Sequence, residues 1–356
     1  MTVMKKTTSN SIKRNLTMTL SLMMTATMLA SCGSGYDGSE SRKSGSYNNE
    51  RTTAGNYRYS NVTAGDTDGT ANIGGGYNTE EYNHLTENGY KLVSDEPLST
   101  FSTDVDTASY TNVRRMINDG WEVDPDAVRT EEFINYFKYD YEKPAEGAVS
   151  INTELSDCPW NSESKLMLVG LQARKAKVKD VPTNLVFLID VSGSMEDEDK
   201  LPLVQQAFSM LAENLGADDR VSIVTYAGSD SVVLEGESGD NSEEIVSALN
   251  SLSAGGSTAG AAGITTAYKL AEEYFIEGGK NRVILATDGD LNVGLSSEEE
   301  LTDLISQKRD SGVYLSVLGF GSGNYKDNRL EALADNGNGN YAYIDSVDEA
   351  KRVLVT

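Results

Sequence analysis

Leu185-Val186-Phe187-Leu188-Ile189 is an unbroken apolar run that stops at Asp190. A strand with one face in water alternates apolar and polar residues. A strand that is apolar at every position is buried on both faces, which puts it in the middle of a parallel sheet. The residues that follow keep to that scheme. Leu201, Val204, Phe208, Leu211 and Leu215 recur at helical spacing, Val221 to Tyr226 reads as a second strand, and Val232 to Leu234 as a short one at an edge. Two helices are marked by Ile245, Ala248, Leu249 and Leu252, and by Ile264, Tyr268, Ala271 and Phe275. Val283 to Ala286 predicts a strand, Leu301, Leu304 and Ile305 a helix, and Gly312 sits where its C-cap belongs. Val313 to Leu318, Leu330 to Ala334 and Tyr341 to Ile344 complete the series as strand, helix and strand. Strands alternating with helices predict an α/β fold: a doubly wound, mostly parallel sheet with helices on both faces, over residues 182–356.

In such a sheet ligands bind beyond the carboxyl ends of the strands. Three segments of the right chemistry are expected there. Asp190-Val191-Ser192-Gly193-Ser194 leaves the first strand, Gly255-Gly256-Ser257-Thr258 precedes a helix, and Thr287-Asp288-Gly289-Asp290 leaves the Val283 strand. Taken singly, each has an ordinary reading: Asp and Ser cap helices, Gly-Gly-Ser-Thr is a loop, and Asp-Gly is a turn. Together they offer hydroxyls and carboxylates without His or Cys. Hard oxygens of that kind suit Mg²⁺, with Mn²⁺ or Ca²⁺ as further candidates.

The combination of Asp-x-Ser-x-Ser, a distant Thr and a distant Asp after a strand resembles the metal-ion-dependent adhesion site of von Willebrand factor type A (VWA) domains, which are Rossmann-like. The resemblance implies that Ser192, Ser194 and Thr258 ligate the metal directly and that Asp190 and Asp288 hold it largely through water. It also implies an open metal position that a partner's Glu or Asp completes. Asp197 and Glu198 fall where integrin-type A domains place acids for an adjacent Ca²⁺. A solvated acidic first turn, favoured by the helix dipole, is the simpler account of them.

The chain before this domain is read in three parts. Residues 1–31 form a signal peptide, with Lys5, Lys6, Lys13 and Arg14 ahead of an apolar stretch too short to span a bilayer. It ends Leu29-Ala30-Ser31-Cys32, which resembles the bacterial lipobox and implies lipidation of Cys32. Residues 32–85 are rich in Gly, Ser, Asn and Tyr, and read as a disordered tether with nothing to build a core. Residues 86–181 read as a small α+β domain, with Asp104, Asp106 or Thr107 capping a helix that begins near Ala108. Cys158, the one remaining cysteine, reads as a buried small hydrophobe. From Tyr90 onward the chain resembles the YfbK-type bacterial lipoproteins. The residues that carry the likeness are Asp104 to Tyr110, Asn135-Tyr136-Phe137, Cys158-Pro159-Trp160 and Gly319-Phe320-Gly321. Members of that group usually continue past the A domain, whereas this sequence stops at Thr356.

Net charge is −25, and −29 without residues 1–31, which argues against nucleic acid as a partner. The only His is His84, in the expected tether, so Ser/His or Cys/His catalysis has no base nearby. A phosphate loop, a Gly-x-Ser-x-Gly and a His-based zinc motif are all missing from the sequence. The expectation is therefore a non-enzymatic, extracytoplasmic protein held to a bacterial membrane by lipid. It would bind a protein or surface ligand that offers a Glu or Asp to the metal. The alternative is an assembly or maturation subunit of an envelope complex that docks its partner through the same site.

Overall fold

The computed structural model describes residues 79–86, 88–101, 103–174, 181–256, 260–289 and 298–355. The expected signal peptide, Cys32 and most of the expected tether lie outside the described residues, as do Ser257, Thr258 and Asp290. Among the described residues no helix is long and apolar enough to cross a membrane.

In chain order the elements are α1 (Ala108–Asn118), α2 (Thr130–Asn135), β1 (Val149–Asp157), β2 (Lys165–Ala173), β3 (Thr183–Asp190), α3 (Leu201–Ala212), β4 (Arg220–Tyr226) and β5 (Asp230–Ser238). They continue as α4 (Ser242–Asn250), α5 (Gly260–Glu273), β6 (Lys280–Thr287), α6 (Glu298–Arg309), β7 (Val313–Phe320), α7 (Asp327–Asn336), β8 (Tyr341–Ile344) and α8 (Val347–Leu354). Six strands form one sheet in the order β5-β4-β3-β6-β7-β8, parallel throughout except for β5.

The apolar run of β3 is buried as its composition demands. Val186 and Leu188 pack with Ile264, Ala267, Tyr268 and Ala271 of α5. Leu185, Phe187 and Ile189 pack on the other face with Val204, Ala207 and Phe208 of α3, and the Phe187 and Phe208 rings stack at 4.3 Å between centroids. Helix α5 comes close because Gly263 faces β4: a Cβ there would stand 2.9 Å from the Tyr226 Cβ. Strand β5 is longer than its three apolar residues suggest. It runs antiparallel along the edge with an irregular register, as bulged edge strands do.

Residues before the sheet pack on its β8 side. Thr111 Oγ1 in α1 donates to Tyr343 O (2.9 Å), and Ala108 joins the sheet's core. The capping expectation needs correction. Thr107 is the N-cap of α1, but its side chain makes no cap bond and accepts from Arg352 instead, while Asp106 accepts from Tyr341 N (3.1 Å). The free N–H of Ser109 is met by the Glu132 carboxylate at 2.8 Å, a partner from α2 that no local motif announces.

The tether boundary also moves. Thr79 N donates to Gly323 O (2.7 Å), Glu81 N to Tyr325 O (3.0 Å) and Asp327 N to Glu81 O (3.1 Å), so residues 79–82 lie alongside the β7–α7 loop. Apolar content could not reveal this, because a charge anchors the segment: the Glu80 carboxylate is buried against Arg115 (2.9 Å). Strands β1 and β2 form a separate antiparallel hairpin. Cys158, at the turn of that hairpin, is buried and unpaired.

Candidate metal centre

In the sheet order, β3 has β4 on one side and β6 on the other, so the chain reverses its winding between β3 and β6. A crevice opens beyond the carboxyl ends at such a point. Asp190 ends β3 and Asp288 follows β6, and both are fully buried.

The first loop is folded by Asp190 itself. Its Oδ1 accepts from Ser192 N at 2.8 Å, and its Oδ2 accepts from Thr287 Oγ1 at 3.1 Å. The turn so formed brings the Ser192 and Ser194 hydroxyls to 3.1 Å of each other. The second loop is laced to the first through backbone: Gly193 N donates to Gly256 O (3.1 Å) and Gly255 N to Val191 O (2.7 Å). Gly256 takes φ +86°, a left-handed conformation that suits glycine. Thr258 follows two residues later and is outside the described residues. The third loop turns at Gly289 (φ +95°), where a Cβ would stand 2.5 Å from Lys326 N.

Burial pushes the Asp190 carboxyl up to about 6. The hydrogen bonds from Ser192 and Thr287 oppose that rise, and the neighbouring Asp288 charge adds to it. Asp288 Oδ2 accepts from Lys200 Nζ and from Asn324 Nδ2, both at 3.1 Å. Thus Asp190, Ser192, Ser194 and Asp288 are brought together, whereas Thr258, the fifth expected ligand, lies outside the described residues. Asp197 and Glu198 are exposed. Among the described residues no group of three or more His, Cys, Asp or Glu is placed to hold a metal. A centre built on two carboxylates and hydroxyls falls outside such a count.

Sequence reasoning missed Lys200 and Asn324. Lys200 had one signal: it immediately precedes α3, where the helix dipole disfavours a cation. Asn324 had none.

Residues 184–354 match the family model described as von Willebrand factor type A domain, and residues 76–168 match one described as von Willebrand factor. The chain belongs to the VWA domain proteins. It is 44% identical over 285 residues to "Uncharacterized protein YfbK" of Escherichia coli (strain K12), covering 78% of this chain and 50% of that protein. It is therefore a YfbK-like VWA protein that spans about half the length of this curated relative. It is also 32% identical over 162 residues to the human inter-alpha-trypsin inhibitor heavy chain H3, covering 43% of this chain and 18% of that one. Among solved structures, a von Willebrand factor type A protein from Catenulispora acidiphila aligns with a TM-score of 0.42 at 16% identity. That alignment covers 61% of this chain and 50% of the other.

The donor set of this VWA domain fits a hard divalent cation. It offers paired hydroxyls and two buried carboxylates, and soft ligands are absent from the described part of the site.

Proposed function

We propose that this VWA domain binds an acidic group of a protein or surface partner through a divalent cation, with Mg²⁺ the first candidate. Ser192, Ser194 and Thr258 would hold the ion directly, with Asp190 and Asp288 behind them. When bound, the ion supplies a Lewis-acidic position that a carboxylate can complete. The residues of the chain do the rest. Asp190 sets the turn that presents the two serine hydroxyls, and Thr287 holds Asp190 from behind. The observation that carries the reading is the 3.1 Å approach of Ser192 and Ser194 hydroxyls beside two fully buried carboxylates, at the point where the sheet reverses.

Within this proposal the domain belongs to an extracytoplasmic lipoprotein. Cys32 carries the lipid, residues up to 78 serve as the tether, and two or three acyl chains keep the protein on a membrane. The role within this proposal is recognition: a metal position that a partner's carboxylate completes needs no proton transfer from the chain.

The test is retention of envelope proteins by the immobilised chain in Mg²⁺ and in chelator, for wild type, Thr258→Ala and Asp288→Ala. A partner held in Mg²⁺, released by chelator and lost from both variants is the expected result. Binding that is indifferent to chelator, or variants that bind like wild type while keeping native circular dichroism, would rule out a metal-bridged contact.

A further inference from the structure

Lys200 is the one cation whose ammonium reaches into the centre among the described residues, and it is built into its place. It is 4% exposed. Its Nζ donates to Ser194 O (2.8 Å), to Asp288 Oδ2 (3.1 Å) and to Asn324 Oδ1 (3.2 Å). Those three acceptors lie on three different loops: the one after β3, the one after β6 and the one between β7 and α7. The stem of the side chain crosses Gly321, which has φ +74°, and a Cβ at that position would collide with it. An ammonium buried this deeply needs compensation, and here it has a carboxylate and two neutral oxygens. Asn324 completes the arrangement, because its amide nitrogen donates to the same Asp288 oxygen while its carbonyl accepts from Lys200.

We infer that Lys200 is a resident counter-ion of the metal centre, one that holds the Asp288 loop in place before metal arrives and stays when it has bound. The inference rests on the metal-binding reading. Two consequences follow from counting charges. Without metal, Lys200 offsets one of two buried carboxylates that would otherwise repel each other unscreened. With metal, two carboxylates, one ammonium and one divalent ion leave the centre with a net positive charge instead of neutrality. Lys200 thereby weakens the hold on the metal and strengthens the pull on an incoming anion. In a chain of net charge −25, a fixed local positive charge is what lets the site draw in an acidic group.

The prediction runs opposite to what loss of a merely structural residue would give. Lys200→Met removes the charge and the hydrogen bonds; Lys200→Gln removes the charge but keeps a donor. Mn²⁺ binding to the full chain is measured by titration calorimetry, alongside the thermal midpoint of the metal-free protein. Both variants are expected to bind Mn²⁺ at least tenfold more tightly than wild type. That is the shift a unit charge a few ångströms from a divalent ion produces even at the dielectric constant of water. The metal-free midpoint should fall in both, less in Lys200→Gln, so a poorly folding Met variant still leaves the question answerable. Wild-type binding with unchanged or weaker affinity in Lys200→Gln would overturn the counter-ion role and leave the metal site standing. No Mn²⁺ bound by wild type would overturn both.

Discussion

Arg129→Ala should be among the most damaging single substitutions outside the metal centre. Arg129 lies just before α2, and its guanidinium is shared between Glu132 of α2 and Asp327, the first residue of α7. Glu331 adds a more distant contact at 3.6 Å. Arg129 is 6% exposed, Glu132 and Asp327 1% each, so the cluster is fully desolvated. It fastens the segment before the sheet to the sheet's own helix. Removing the arginine strands two buried carboxylates, which costs about 3–5 kcal/mol. Each carboxylate keeps one neutral donor, Ser109 N at 2.8 Å for Glu132 and Tyr341 OH at 2.7 Å for Asp327, which favours the lower end, about 3 kcal/mol. The exposed pair Lys308–Glu272 is the control, where Lys308→Ala should cost less than about 1 kcal/mol. The assay is urea unfolding at pH 8 and pH 5. Burial already raises the Glu132 carboxyl above the usual carboxylate range. Without Arg129 it takes up a proton more readily still, so the loss should be smaller at pH 5. A loss under about 1 kcal/mol at pH 8, or one that does not shrink at pH 5, would refute the reasoning.

Burial also pushes the Asp106 and Glu331 carboxyls up to about 7. The charges of Asp104, Glu132 and Asp335 add to this at Asp106, and those of Asp327, Glu132 and Asp335 at Glu331. Between the ordinary carboxylate range and pH 7 the folded chain therefore holds more protons than the unfolded one, so this contribution to stability falls as pH rises through that window. The thermal midpoint should be higher at pH 5 than at pH 8. Asp106→Asn should raise stability at pH 8 by about 1 kcal/mol, a figure discounted for partial exposure, and flatten the slope; an unchanged slope would count against it. Cys32→Ser should release the protein from membranes, as judged by fractionation of cells expressing each form; full retention of the variant would remove the lipid anchor from the proposal.

The sheet was legible because its signals are periodic and local. A five-residue apolar run ending at Asp190, within a series of alternating strand and helix signals, reads as a central strand, and Val186 and Phe187 face opposite layers of helix. Gly312 was legible as a helix C-cap, and it takes φ +90° just after α6. The edge strand β5 was underestimated because an edge needs few apolar residues. The packing of residues 79–82 was missed because it rests on backbone pairing and on one buried ion pair, Glu80 with Arg115, whose partners are far apart in sequence.

The same division runs through the candidate centre. Its proposed donors could be named from sequence because metal chemistry restricts such donors to a few residue types, and strand ends restrict where they fall. The supports that fix those donors obey no such restriction. Lys200 follows Glu196, Asp197, Glu198 and Asp199, and in sequence it looks like the end of a solvated charge run. Only the fold turns its stem inward over Gly321 to reach Asp288. Asn324 is an ordinary loop residue until the β7–α7 loop is set beside β6. That loop is itself held from outside by the backbone of Thr79 and Glu81, and from inside by Lys200. The Asp288 carboxylate is therefore positioned by residues that lie up to 209 positions away from it in sequence, counted from Thr79. Residue type at the site suggests the proposed chemistry, whereas the geometry of the Asp288 carboxylate is set by contacts that exist only in the folded chain.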